Sequence, residues 1–188
     1  MVKLQVFQAA TPESQEWVIL LDESFRETLM NLDGRPQRYT WRPPSVRVLK
    51  SSERKRLRYS DMPHYSSSVL VLREPALAAL ADLLSADGEL LPLDCPDAPM
   101  WLFNCCRVID ALDEGHSRVV RFPSSGRIMR VESYDFQVGR LIGVNAFKIP
   151  QLARTTLFVT SPVVQAAEHA QLTRSEFTPI WEGESAES

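Results

Sequence analysis

Three kinds of side chain in this 188-residue chain could act on a substrate: cysteine thiols, histidine rings and the carboxylates near them. A nucleophile needs a base within hydrogen-bond reach, and that base needs a third group to orient it. The chain has three cysteines and three histidines. His169 falls within a helical pattern among charged and small residues. His116 sits in a turn beside Asp113 and Glu114, where local hydrogen bonding accounts for it. His64, after Met62-Pro63, is left as the one candidate base, in a trio with Cys105 and Asp110. No signature of a cysteine enzyme surrounds either partner, and a cysteine among apolar residues is usually inert packing. Metal chemistry lacks its spacings, since there is no C-x-x-C, no H-x-x-x-H and no Asp-rich calcium loop. Seven scattered glycines build no phosphate cradle, and Pro123-Ser124-Ser125-Gly126 reads as a hairpin turn. The expectation is a protein that is not an enzyme and carries no catalytic residue, metal or cofactor.

Charge is the stronger compositional signal. Residues 42–58 contain Arg42, Arg47, Lys50, Arg54, Lys55, Arg56 and Arg58 against Glu53 alone. This segment therefore carries +6 of a net charge of −3, and the remainder carries −9. Flanked by Trp41 and Tyr59, the basic run could grip nucleic-acid phosphates and stack bases, with Arg54, Lys55 and Arg56 as contacts. The alternative is a solvated loop that balances an acidic body, and this is the favoured reading. The acidic remainder could in turn steer a basic partner.

The elements that must position these residues follow from periodicity. Residues 2–21 read as two strands around Thr11-Pro12-Glu13-Ser14, and residues 22–30 as a short helix stopped at Gly34. Residues 41–68 read as loop around a strand at 46–49. A strand at 69–72 precedes Glu74-Pro75, with proline at the first helical position, where its missing N–H costs nothing. Leu77, Leu80, Leu83 and Leu84 then form one apolar stripe. A strand resumes at 89–93, with Pro92 marking an edge or bulge. The same order recurs later: a strand at 156–160, Ser161-Pro162 opening a helix over 162–172, and a strand at 176–181. Pro75 to Pro92 and Pro162 to Pro179 both span 17 residues. Each second proline follows a Glu-apolar-x triplet. In between, Trp101-Leu102-Phe103-Asn104 is strand-like, whereas Cys105, Val108, Ile109 and Leu112 have helix spacing. A hairpin pairs 119–122 with 127–131, and 144–149 is a further strand.

The predicted architecture is α+β, with one mixed sheet carrying two similar strand–helix–strand units, their helices near 75–85 and 162–172. Residues 1–182 form a single domain with a less regular part at 1–61, and an acidic, frayed tail follows at 183–188. A 44% hydrophobic, 24% charged composition fits a folded globule. The strongest apolar run, residues 17–21, is far short of the roughly 20 residues that cross a bilayer. No signal peptide is legible, and an odd cysteine count with Cys105 next to Cys106 suits reduced thiols in the cytoplasm.

Several strings together resemble an immunity-protein family of bacterial polymorphic toxin systems, once catalogued only as a domain of unknown function. They are Trp101-Leu102-Phe103-Asn104, Val108-Ile109-Asp110-Ala111-Leu112-Asp113 with Ser117, and Gly143-Val144-Asn145-Ala146-Phe147-Lys148-Ile149. Leu157-Phe158-Val159-Thr160, Leu172-Thr173, Glu176-Phe177 and Ile180-Trp181 are similar to the rest of its pattern, and Gly88-Glu89-Leu90-Leu91-Pro92-Leu93 to its central stretch. The resemblance covers roughly residues 62–181. It implies a bacterial protein that neutralises a cognate toxin, encoded nearby, by binding it. An acidic surface facing a basic toxin would draw on Asp97, Asp113 and Glu114, in predicted turns whose side chains reach outward. No membrane partner is expected, and the alternative function is a nucleic-acid-binding or regulatory module using 42–58.

Overall fold

The computed structural model describes residues 2–10, 14–52, 55–173 and 176–185. The chain opens with β1 (Val2–Ala9) and β2 (Trp17–Leu20). A 3-10 turn at Glu23–Phe25, capped by the Asp22 carboxylate accepting from Ser24 N at 2.9 Å, leads into the short helix α1 (Arg26–Met30). Next come β3 (Val46–Leu49) and two brief strands, β4 (Ser51–Ser52) and β5 (Lys55–Arg56), which pair as a small hairpin absent from the predicted elements. β6 (Leu70–Arg73) passes directly into α2 (Glu74–Ser85), followed by β7 (Gly88–Leu93) and β8 (Met100–Cys105). The expected hairpin is β9 (Arg118–Arg121) with β10 (Ile128–Ser133). β11 (Ala146–Phe147), β12 (Phe158–Thr160), α3 (Ser161–His169) and β13 (Phe177–Ser185) complete the fold.

The class is α+β, but one mixed sheet is not what forms. The two larger sheets run in the orders β6-β8-β7 and β11-β12-β1-β13, and every ladder between these strands is antiparallel. Each helix crossover leaves its two strands one place apart, and a different strand fills each gap. β8 fills the first and β1, from the far end of the chain, fills the second. Local periodicity carries no information about which strand fills a gap, so the two sheets were not separable in the sequence.

Side-chain alternation then sets the layers. On β6 and β8, Leu70, Leu72, Phe103 and Cys105 face a core shared with α2 and α3, while Val71, Met100 and Leu102 face a second core beneath β2 and β3. A sheet buried on both faces reads as a continuous apolar run, which is why residues 69–72 do not alternate. The stripe Ala76, Leu80 and Leu84 of α2 packs beside Val163, Val164 and Ala167 of α3 in the shared core. On the far side of β12 and β1, a third core of Val6, Phe136, Phe147 and Phe158 is closed by Trp181, its rings meeting edge-on or stacked at 5.1–5.7 Å. The helices therefore lie between two sheets. Burying a side chain the size of Leu72 or Leu80 contributes roughly 1.5–3 kcal/mol.

Four local expectations change. The helix expected over 162–172 ends at His169, because Gln171 adopts φ 51° and the N–H groups of Gln171 and Leu172 return to Glu168 O and Ala167 O. That is a Schellman cap, here without its usual glycine. No helix follows Cys105, because Asp87 O accepts the N–H groups of both Cys106 and Arg107 and draws the chain away from β8. The strand expected over 144–149 shrinks to Ala146–Phe147. In the tail, Gly183, Glu184 and Ser185 pair with Leu4, Lys3 and Val2, so this part is strand and not frayed; residues 186–188 lie outside the described ones. Pro92 does lie on an edge strand, and Pro179 sits on another, where the register slips between Val6 and Phe7.

Candidate binding surfaces

The polar residues of the most patterned stretch face inward. Asp87, at the end of α2, has a fully buried carboxylate. Arg107 Nη1 donates to its Oδ1 at 2.6 Å, and the N–H groups of Asn145 and Ala146 donate to Oδ2 at 2.8 and 2.9 Å. Glu89, two residues on, accepts from Gln37 N at 2.7 Å, Arg38 Nε at 2.8 Å and Asn104 Nδ2 at 3.2 Å. Burial alone would raise its pKa, but these hydrogen bonds outweigh burial and hold the carboxyl below the usual glutamate range. Asn104 also donates to Arg35 O at 3.0 Å. Lys148 is fully buried, donates to Leu32 O, and is pushed to a lower pKa by burial. Ser117 and Asp135 exchange hydrogen bonds at 2.9 and 3.2 Å. These groups tie residues 31–38 and 144–148 to the strands.

The trio with catalytic potential is not assembled. Cys105 has no exposed surface, and its Sγ lies 3.7 Å from the carbonyl oxygens of Asp87 and Arg107. Burial pushes its thiol up to about 12, and pushes the Cys106 thiol up to about 11 with help from the Glu89 charge. His64 packs edge-on against Trp17 at 4.5 Å, and burial lowers its pKa. Asp110 accepts from Gln151 Nε2 at 3.1 Å on the surface. Among the described residues no three His, Cys, Asp or Glu side chains converge as a metal site.

The three acidic residues proposed as partner contacts lie in turns, but none is a free outward carboxylate. Asp97 clamps β3: Lys50 Nζ donates to it at 2.7 Å and Val48 N at 3.0 Å, and these two hydrogen bonds hold its pKa low. Asp113 holds its own turn through Gly115 N at 3.0 Å and His116 Nδ1 at 2.9 Å, which lowers the Asp113 pKa and raises that of His116. Glu114 pairs with Arg121 and accepts from Gln151 at 3.1 Å. A short polar side chain in a turn often serves its own backbone, and this local use prevails for Asp113.

The basic run is differently placed. Arg42, Arg47, Lys50, Lys55, Arg56 and Arg58 are all exposed, and Arg54 lies outside the described residues. Lys50 is bound to Asp97. Among the described residues, no carboxylate stands within ion-pair distance of Arg47, Lys55, Arg56 or Arg58.

Sequence reasoning missed a groove of about 1080 Å³ between β2, α1 and the segment 65–68. Its apolar lining comes from Val18, Leu20, Leu29, Met30 and Tyr65, and its rim carries Glu23, Arg26, Glu27 and Arg154. Only the apolar run at 17–21 hinted at it. A second hollow of about 520 Å³ lies between Tyr39, which is 91% exposed, and Arg38 and Arg107. The chain matches no protein-family model and no curated protein sequence.

Proposed function

We propose that this chain is an immunity protein, which binds and neutralises a cognate bacterial toxin domain encoded beside it. The observation that carries this reading is the use made of the residues that resemble the immunity family. Asn104, Asp113, Ser117, Asn145 and Lys148 all make bonds within the protein, so the motif builds a body and leaves the surface to do the work. The segments β6–α2–β7 and β12–α3–β13 we read as two copies of one scaffold unit. Their support is the shared order, the 17-residue proline spacing and the antiparallel strand between each pair. Neutralisation by occlusion needs a rigid body with a concave or charged face, and the groove and the basic run supply both. On this reading the thiols stay reduced and the protein works in the cytoplasm.

A titration of the purified chain with the toxin domain from the adjacent open reading frame tests this. A one-to-one complex of nanomolar affinity is expected. No complex with any toxin domain encoded beside it would end the reading.

The cations Arg47, Lys55, Arg56 and Arg58, unpaired among the described residues, favour one rival, a nucleic-acid-binding or regulatory module. It requires binding to DNA or RNA that weakens with salt, with a log–log slope reduced by replacing Lys55 and Arg56. Absence of binding at low salt removes it.

A further inference from the structure

The groove contains a strand edge that is left unpaired among the described residues. Val46 N donates to Asp94 O at 2.9 Å and Val48 N to Asp97 Oδ2 at 3.0 Å, both away from β2. Since Val46 and Val48 stand opposite Leu20 and Val18, these are the non-hydrogen-bonded pairs of the ladder. The N–H and C=O groups of Val18 and Leu20 therefore point to the other edge of β2. There the segment after Pro63 runs parallel to β2 for one bridge: Val18 N donates to His64 O at 2.7 Å and His64 N to Glu16 O at 3.1 Å. Continuing that ladder would bring Ser66 to Val18 O and Leu20 N. It stops instead, because Leu157 N takes Ser67 O at 2.9 Å and Ser66 Oγ engages Ser68. The strand edge and the segment 65–68 part here, and the groove opens between them.

We propose that this edge, at Val18 O, Leu20 N and Leu20 O, takes an extended segment of the partner protein by β-strand addition. The inference rests on the immunity reading for the identity of the partner. An extended segment is the form that fits, because backbone groups one strand-spacing from β2 meet all three free groups together. Alternate side chains of the incoming segment would face the apolar wall of Leu20, Leu29, Met30 and Tyr65, so apolar residues are required there. Charge selects its flank. Arg26 is already paired with Glu23, whereas Glu27 has no cation within ion-pair distance among the described residues. A lysine or arginine beside the apolar stretch therefore finds a carboxylate on the α1 wall.

The experiment uses the full chain and the toxin domain encoded beside it. Proline is tolerated on a strand where the N–H points away from its neighbour, so Leu20→Pro removes the donor and leaves the β2–β3 ladder whole. Ser67 is exposed on the groove wall, and Ser67→Trp fills the space. Both variants should melt within a few degrees of wild type and bind the toxin domain at least about tenfold more weakly. In the complex, hydrogen exchange at the Leu20 amide should slow about a hundredfold, while Ile19 is protected in the free and bound states alike. A complex of unchanged affinity in both variants, with the Leu20 amide still open, overturns the groove and leaves the immunity reading standing. Self-association of the free chain, abolished by Leu20→Pro, would assign the edge to a second copy and likewise overturn the proposal. No complex with wild type overturns the immunity reading, and the proposal falls with it.

Discussion

Arg107 Nη1 lies 2.6 Å from Asp87 Oδ1, and the other oxygen of that carboxylate accepts the N–H groups of Asn145 and Ala146. One buried carboxylate thus fastens the end of α2 to the start of β11 and to the chain leaving β8. The arginine side chain is 43% exposed, so its share of the interaction is screened. The bonds from the two backbone N–H groups are screened far less. Asp87→Ala should lower the unfolding free energy by about 2–4 kcal/mol, read from the urea midpoint. Arg107→Met should cost less, about 1–2 kcal/mol, because the buried carboxylate loses its counter-charge but keeps both backbone donors. Equal losses would mean that the ion pair, and not the backbone capping, is what matters.

Glu89 gives a pH signature. Its carboxyl titrates below the ordinary glutamate value of 4.5 in the folded protein, because hydrogen bonds from Gln37, Arg38 and Asn104 outweigh burial. A depressed pKa means that the unfolded state binds more protons in this window. The contribution to stability is thus complete above about pH 4.5 and is lost as pH falls through the lower folded value. The thermal midpoint of wild type should exceed that of Glu89→Gln by a constant margin above pH 5.5, roughly one unit clear of the window, and the margin should close in acid. A margin independent of pH would contradict this account of the clamp.

The thiols differ in reach. Cys105 and Cys106, pushed up to about 12 and about 11, are almost entirely protonated at pH 8. A thiol reagent at that pH should label Cys95 first in the folded chain, and Cys105 only on unfolding. Rapid labelling of Cys105 in the native protein would contradict its burial.

The register of β2 makes two adjacent prolines unequal. Ile19 stands opposite Arg47 in a hydrogen-bonded pair, whereas Leu20 directs its N–H to the groove. Ile19→Pro should therefore destabilise by about 3 kcal/mol and Leu20→Pro by much less, measured by thermal unfolding. Similar losses would refute the register on which the free edge depends.

Which parts were legible in the sequence follows from the range of the interactions. α2 announces itself through Glu74-Pro75 and an unbroken leucine stripe, and both are local. The end of α3 is not legible because its left-handed cap is Gln171, with no glycine to mark it. The strand β8 is legible, but Cys105, Val108, Ile109 and Leu112 have helix spacing, and only the distant carbonyl of Asp87 diverts the chain after Cys105. Asp97, Asp113 and Glu114 lie in the connections between strands, and their partners Lys50, His116 and Arg121 make them braces, which no local pattern announces. The groove could not be seen, because it forms where a ladder fails to continue, between residues nearly fifty positions apart.

Protection of cells is the most direct measurement of the central claim. The adjacent toxin domain is induced in a sensitive host carrying either the wild-type chain or a Cys105→Ala, His64→Ala, Asp110→Ala variant confirmed to be folded. Protection by binding predicts full survival with both, each forming a one-to-one complex with the toxin. Death with wild type, or survival lost in the triple variant while its complex persists, would contradict it.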